Sequence, residues 1–274
     1  MNNGMWKAPA TQANMATLRD RGVHVVGPGS GYLACGDVDT GRMSEPEDIV
    51  EAICEVLNPA PQDLAGKRIV ITAGPTHEPI DPVRFIGNRS SGKMGIALAG
   101  EAVRRGAAVT LVLGPTSLDV GRGVECVRVQ TAAEMLQAAL GAFQTADAAI
   151  CAAAVADYTP AAPADHKLKK ANERLDRIEL VETVDILAEL SRQKGERCVI
   201  GFAAETDNVV EYAKRKLARK GCDAIIANDV SRADSGFGTD TNKAWIVSTT
   251  GTQELPVLTK PQLADTILDL LKNN

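Results

Sequence analysis

The chain's 274 residues exceed the rough prior of about 150 per domain, so one large or two modest domains are expected. It is 45% hydrophobic and 24% charged, a soluble globular balance; a net charge of −5 with 3% aromatic residues argues against nucleic-acid binding. The sequence lacks a run of about 18 apolar residues and a charged-then-apolar leader. Membrane and secreted classes are therefore set aside, and a reduced cytoplasm is the expected compartment.

In chain order, residues 1–57 offer one short strand candidate and two helices, too little for an independent core, and read as an appendage or the remnant of another domain. Residues 58–63, Asn58-Pro-Ala-Pro-Gln-Asp63, form a Pro-rich linker. From residue 64 the pattern becomes strand, loop, helix, repeated. Lys67–Gly74 is a β-branched run ending at glycine, the form of a buried parallel strand. A helix is predicted over 92–105, stopped by Gly106, and strands over 108–113 and 124–129. A helix over 132–143 then leads to further buried strands at 148–154, 198–202 and 224–227, with helices at 184–192 and 208–220. Such alternation predicts an α/β fold, a Rossmann-like doubly wound, mostly parallel sheet. The stretches 76–90 and 158–176 break the rhythm, and long loops inside a compact α/β unit are more often functional than idle.

The segment Gly87-Asn-Arg-Ser-Ser-Gly-Lys-Met94 approaches a phosphate-binding P-loop. Met94 lacks the metal-binding hydroxyl, however, and the preceding strand ends too early. Ser90, Ser91 and Gly92 at a helix N-terminus still offer amides and a positive dipole end to an anion, or they form a plain serine cap. Ala152-Ala-Ala-Val-Ala-Asp-Tyr158 leaves the carboxyl end of a strand, where open α/β sheets place ligands. Its small side chains would admit a flat base, with Asp157 as acceptor; alternatively they serve close packing, with Asp157 as a cap. Lys167, Lys169 and Lys170 lie on the second long loop, and Lys216 and Lys220 share a helix face; either group could neutralise phosphate or simply be solvated. Four such elements on the carboxyl edges of aligned strands favour a nucleotide triphosphate site. The six cysteines form no C-x-x-C pair, so neither a zinc site nor a disulfide framework is expected, and Cys151 and Cys198 read as small buried thiols. Two other classes remain open: an NAD(P)-dependent oxidoreductase, which lacks its glycine fingerprint here, and a non-catalytic nucleotide-binding module.

The segments Ile71–Asp81, Asn88–Gly95, Ala153–Asp157, the Lys-Leu-Lys-Lys loop, Gly201–Thr206 and Asn228–Ser231 together resemble phosphopantothenate–cysteine ligase. More closely, residues 64–274 resemble the ligase half of the bacterial bifunctional enzyme that also carries a flavin-dependent decarboxylase. The resemblance implies condensation of 4′-phosphopantothenate with L-cysteine, driven by CTP through an acyl-cytidylate, with Mg²⁺ as companion and metal ligands unassigned. It also implies roles for residues. Lys167 would stabilise charge at the α-phosphate, and Asn88 would hold the acyl-cytidylate. Ser90, Ser91 and Gly92, with Arg84, would serve phosphate and substrate. Cys151, Ala152, Ala153 and Asp157 would read the cytidine, while Val184 (where proline is common), Asp185, Ile186, Leu187, Phe202, Lys216 and Lys220 complete the nucleotide site. The loop bearing Asp81, Arg84 and Asn88 resembles a dimer-forming element, so a homodimer is expected. Residues 1–57 resemble the decarboxylase tail, with Cys35 at its proton donor and Asn2 at its substrate-binding asparagine. Because the flavin-binding body is not in the sequence, neither FMN nor decarboxylation is expected.

Overall fold

A computed structural model describes all residues except 35, 58, 170–175, 233, 237, 273 and 274, and the side chains at 47, 51 and 55. Cys35 and Lys170 therefore lie outside the described residues. The chain divides into two compact units, residues 1–60 and 61–274. The first holds α1 (Asn3–Lys7), α2 (Pro9–Asp20), β1 (Gly29–Tyr32), β2 (Val38–Arg42) and α3 (Pro46–Leu57). Asn2 caps α1 by accepting the Gly4 amide at 2.8 Å. The expected single strand is a two-stranded antiparallel ribbon, and there is a third helix. The glycine-bearing strands GSGY and VDTGR carry no apolar period to announce them.

The second unit runs β3 (Arg68–Ala73), β4 (His77–Pro79), β5 (Phe85–Gly87), α4 (Lys93–Arg104), β6 (Ala108–Leu113), β7 (Val124–Arg128), α5 (Ala132–Phe143) and β8 (Ala148–Cys151). It continues through β9 (Tyr158–Pro160), β10 (Leu180–Glu182), α6 (Ile186–Arg192), β11 (Cys198–Glu205), α7 (Val209–Lys220) and β12 (Ala224–Asp229). The unit closes with β13 (Thr241–Ser248), β14 (Gly251–Thr259) and α8 (Lys260–Leu268). The main sheet has eight strands in the order β14-β13-β12-β11-β8-β3-β6-β7. From β12 to β7 every pairing is parallel, as the sequence predicts. The chain runs outward from β3 to β7, then returns to β8 beside β3 and runs outward the other way. That reversal is a topological switch point, where open α/β sheets place ligands at the strand carboxyl ends.

Period-two alternation divides the core. Ile69, Ile71 and Ala73 of β3 join Leu98 and Ala102 of α4 and Ile267 of α8 on one face. Val70 faces Met135 and Phe143 of α5 and Leu190 of α6 on the other. Each buried Val, Leu, Ile, Met or Phe among these contributes about 1.5–3 kcal/mol relative to exposure.

The structure also departs from the sequence reading. β13 pairs antiparallel with β12, and β14 with β13, giving an antiparallel edge where no strands were expected. The 76–90 loop contains the β4–β5 hairpin, and β9 pairs with β10. α6 begins at Ile186 instead of Val184, because Asp185 N-caps it by accepting the Ala188 amide at 2.9 Å. α4 starts at Lys93, capped by Gly92 in the left-handed region (φ 80°) without a side-chain cap bond, so the plain serine cap is not what forms.

Candidate functional site

A cleft of about 930 Å³ opens at the carboxyl ends of β3, β8 and β11, at the switch point. This lies within the range of about 300–1,000 Å³ usual for ligand pockets. Its floor is the strand exit 151–155. Ala152 donates its amide to Thr72 at 3.0 Å and Ala154 to Gly74 at 2.9 Å, extending the β3–β8 pairing beyond the strands. Asn88 Nδ2 donates to the Val155 carbonyl at 2.8 Å, joining the loop before α4 to this floor.

One wall is the start of α4. The first-turn amides of a helix have no intrahelical acceptor, and the dipole adds positive potential there. The Ser90 and Ser91 hydroxyls accept from the Gly92 and Lys93 amides at 3.3 and 3.4 Å, shaping a tight turn. Lys93 extends its ammonium to Asp240 (2.7 Å) and to the Gly238 carbonyl (3.0 Å).

The opposite wall is α6, the end of β11, and α7. Lys216 donates to the Phe202 carbonyl at 2.8 Å, and burial lowers its pKa while Glu205 and Asp157 oppose that shift. Lys220 pairs with Asp185, so two residues expected to bind ligand meet each other. Asp157 lines the cleft, and its carboxylate makes no hydrogen bond among the described residues. Cys151 also lines it; the residue as a whole is half-buried, and burial of its thiol pushes the pKa up to about 12. Cys198 is buried in the core as expected.

Of the residues named from sequence, Asn88, Ser90, Ser91, Gly92, Cys151, Ala152, Ala153, Asp157, Phe202, Lys216, Lys220 and the 184–187 run all line this cleft. Lys167 and Arg84 do not. Lys167 is exposed on its loop, and the Arg84 guanidinium is engaged by Asp81 and by the Leu168 carbonyl. Asn2 belongs to the other unit.

Sequence reasoning missed Arg89, Lys93, Arg219 and Lys260, all on the wall. Lys93 was visible in the near-P-loop motif. Lys260 is 5% exposed and donates to the Thr239 carbonyl (2.6 Å) and Asn242 Oδ1 (2.6 Å), and burial lowers its pKa. The wall carries six cationic side chains (Arg89, Lys93, Lys216, Arg219, Lys220, Lys260) against three carboxylates (Asp157, Glu182, Asp185). That excess of three positive charges, in a chain of net charge −5, concentrates anions at the cleft.

The family model described as DNA/pantothenate metabolism flavoprotein C-terminal domain matches residues 64–274, and one described as Flavoprotein matches residues 1–58. The chain is 47% identical over 271 residues to the Coenzyme A biosynthesis bifunctional protein CoaBC of Bacillus subtilis, covering 98% of this chain and 66% of that protein. It is 46% identical over 272 residues to the protein of the same name from Escherichia coli K12, covering 98% and 67% respectively. The chain thus spans about two thirds of the length of these relatives. A crystal structure of the C-terminal domain of a Coenzyme A biosynthesis bifunctional protein CoaBC matches with a TM-score of 0.66 and 45% identity, over 77% of this chain and 97% of that one.

Proposed function

The chain belongs to the family of the DNA/pantothenate metabolism flavoprotein C-terminal domain, and from that membership we propose that residues 64–274 form a CTP-dependent ligase of coenzyme A synthesis. The reaction joins 4′-phosphopantothenate to L-cysteine in the cytoplasm. The observation that carries the reading is the cationic cleft at the sheet's switch point. It unites a phosphate-accepting helix start with a small-residue strand exit, in a chain closely similar to proteins named for coenzyme A biosynthesis.

The chemistry has two displacements. The phosphopantothenate carboxylate attacks the α-phosphorus of CTP, and the bond to the bridging oxygen breaks to release pyrophosphate. The cysteine amine then attacks the acyl carbon of the acyl-cytidylate; CMP leaves and the amine proton passes to solvent. The α4 start, with Ser90, Ser91 and Gly92, cradles phosphate, and the 151–153 exit and Asp157 take the base. Lys216 and Lys220 supply cationic charge beside the nucleotide. Asn88, fixed to the floor through Val155, faces the mixed anhydride, and Lys167 stabilises the charge that gathers at the α-phosphate. Arg84 contributes to substrate phosphate binding from the hairpin, in a homodimer whose subunits meet through that element.

Among the described residues no group of three or more His, Cys, Asp or Glu side chains could hold a metal. Magnesium would accompany the triphosphate with its protein ligands unassigned, and it would supply charge neutralisation of the leaving pyrophosphate. No decarboxylation and no flavin are assigned to residues 1–57 in this reading. Because that stretch matches a flavoprotein model, a flavin absorbance spectrum of the purified chain is the direct check.

The deciding experiment incubates the chain with CTP, Mg²⁺ and phosphopantothenate, with and without cysteine. Pyrophosphate is expected without cysteine, and CMP once it is added. No pyrophosphate in any combination would sink the ligase and leave the non-catalytic nucleotide-binding module. ATP in place of CTP tests the choice of base.

A further inference from the structure

Asp81 sits on the turn between β4 and β5 with its side chain fully buried. One carboxylate oxygen, Oδ1, accepts the amides of Val83 and Arg84 at 2.8 and 2.9 Å and so completes the hairpin turn. The other, Oδ2, accepts Arg84 Nε at 3.0 Å, and also the Leu168 amide at 3.2 Å, 87 residues further along the chain. Arg84 Nη2 in turn donates to the Leu168 carbonyl at 2.9 Å. The peptide groups on both sides of Leu168 are thus held by one ion pair. Four residues earlier, the Ala164 amide donates to the Ile80 carbonyl at 2.9 Å. Lys167 lies between these two grips, its side chain exposed and its backbone fixed.

The hairpin needs only Oδ1 for its own turn, and asparagine would serve there equally well. A carboxylate is required where several donors converge on Oδ2, and that convergence serves the distant loop. The Arg84 guanidinium holds the carboxyl well below the usual range, so it remains an acceptor at any working pH. The hairpin itself is anchored to the sheet. Thr76 Oγ1 accepts the Ala156 amide at 3.0 Å, and Glu78 accepts the Ala132 amide at 2.8 Å. Beyond β5 the same segment delivers Asn88 and the α4 cradle.

We propose that Asp81 is a positioning residue for the ligation: acting through Arg84 and the backbone of Leu168, it fixes the loop that carries Lys167 in register with the segment bearing Asn88 and the phosphate cradle. The proposal rests on the ligase reading above. One continuous stretch, residues 76–92, then sets both the cradle and the lysine, although the two are far apart in sequence.

Asp81→Asn isolates the effect, since an amide oxygen keeps the turn while the amide nitrogen opposes the Leu168 and Arg84 donors. Three quantities are measured in the full chain: pyrophosphate release, CTP affinity, and amide hydrogen exchange at Leu168. Asp81→Asn should lower kcat for pyrophosphate release by about tenfold or more while CTP affinity stays within about twofold. In a Lys167→Gln background the same substitution should cost less than about twofold, because its route to the chemistry is gone. Leu168 exchange should accelerate by about tenfold or more. Equal losses in both backgrounds, an unchanged kcat, or unchanged Leu168 exchange would each overturn the proposal while leaving the ligase in place. Absence of pyrophosphate from the wild-type chain would instead mark failure of the ligase reading, whereas undiminished pyrophosphate release from Lys167→Gln would remove that lysine's role and overturn the proposal while leaving the ligase in place.

Discussion

The close approach of α4 to β3 sets the proposed phosphate cradle, and Gly95→Ala tests it. A Cβ at position 95 would fall 2.3 Å from the Ala73 Cβ and 3.1 Å from its Cα. Carbon–carbon contacts prefer about 3.5–4.0 Å, so the first distance is short by about 1.2–1.7 Å. Ala73 is wholly buried within the central strand and has nowhere to go, so the start of α4 must lift. Overpacking of this kind costs about 1–3 kcal/mol. The larger effect is functional: a displacement of about 1 Å in a group that positions substrate can cost about 10²-fold in rate. Gly100→Ala on the same helix is the control, because that position is exposed and a new Cβ meets nothing within 4 Å. It should stabilise by about 1 kcal/mol through helix propensity and leave binding unchanged. The rate of pyrophosphate release and calorimetric titration with CTP, beside urea unfolding of the three proteins, separate these outcomes. A Gly95→Ala chain that keeps wild-type stability and CTP affinity would refute the argument that this contact places the cradle.

Arg105 is wholly buried and ion-paired with Asp63, Asp265 and Asp269, so Arg105→Met should destabilise by about 3 kcal/mol or more in urea unfolding. Its hydrogen bonds hold the Asp63 carboxyl at about 2 instead of 3.8; the folded value is the lower one, so this stabilisation is full above about pH 4 and is lost as pH falls toward about 2. The variant should show a smaller acid step, the remainder being held by Lys272 at 2.9 Å from Asp63, and coincident acid limbs would contradict the assignment. With its thiol pKa near 12, Cys151 should stay unalkylated at pH 8, where its thiolate fraction is on the order of 10⁻⁴, while exposed Cys54 reacts. Peptide mapping that finds both labelled at the same rate would refute it.

Most of the parallel strands (β3, β6, β8, β11 and β12) were legible as short, largely buried apolar runs, and β7 by its alternation. The cradle and the 151–157 exit were legible because each is local in sequence, so residue types and spacing already carry its geometry. The β4–β5 hairpin was not, since its strands are three residues long and β4 contains Pro79. The β13–β14 edge escaped for another reason. β14 is largely exposed and contains Pro256, which an edge strand tolerates but a strand reading discounts. Lys260 reaches the wall only by tertiary closure, with no local pattern to signal it, whereas Arg219 could have been found as the i+3 neighbour of Lys216 on α7. Conversely, Lys167 and Arg84 stood out as charges in a long loop, yet a charge pattern does not say which wall it faces.

How the wall's cations are held matters more than their number. Lys93 and Lys220 are matched by Asp240 and Asp185, so their charges are largely neutralised at short range. Lys216 and Lys260 are held by uncharged oxygens of Phe202, Thr239 and Asn242, which fix the ammonium without cancelling it. The Arg89 and Arg219 guanidinium groups make no hydrogen bond among the described residues. If Asp240, just off the wall, is counted, the excess falls from three charges to two, and it resides in these four side chains against Asp157 and Glu182. A unit charge about 6 Å from a phosphate is worth about 3 kcal/mol at an effective dielectric of about 20, so even ammonium groups already bonded to carbonyls contribute without touching the ligand. Fixing them beforehand also removes the entropy of ordering long side chains when the anion arrives. For the proposed triphosphate, an acidic chain therefore needs few free donors, because its fold has already oriented the charges that matter.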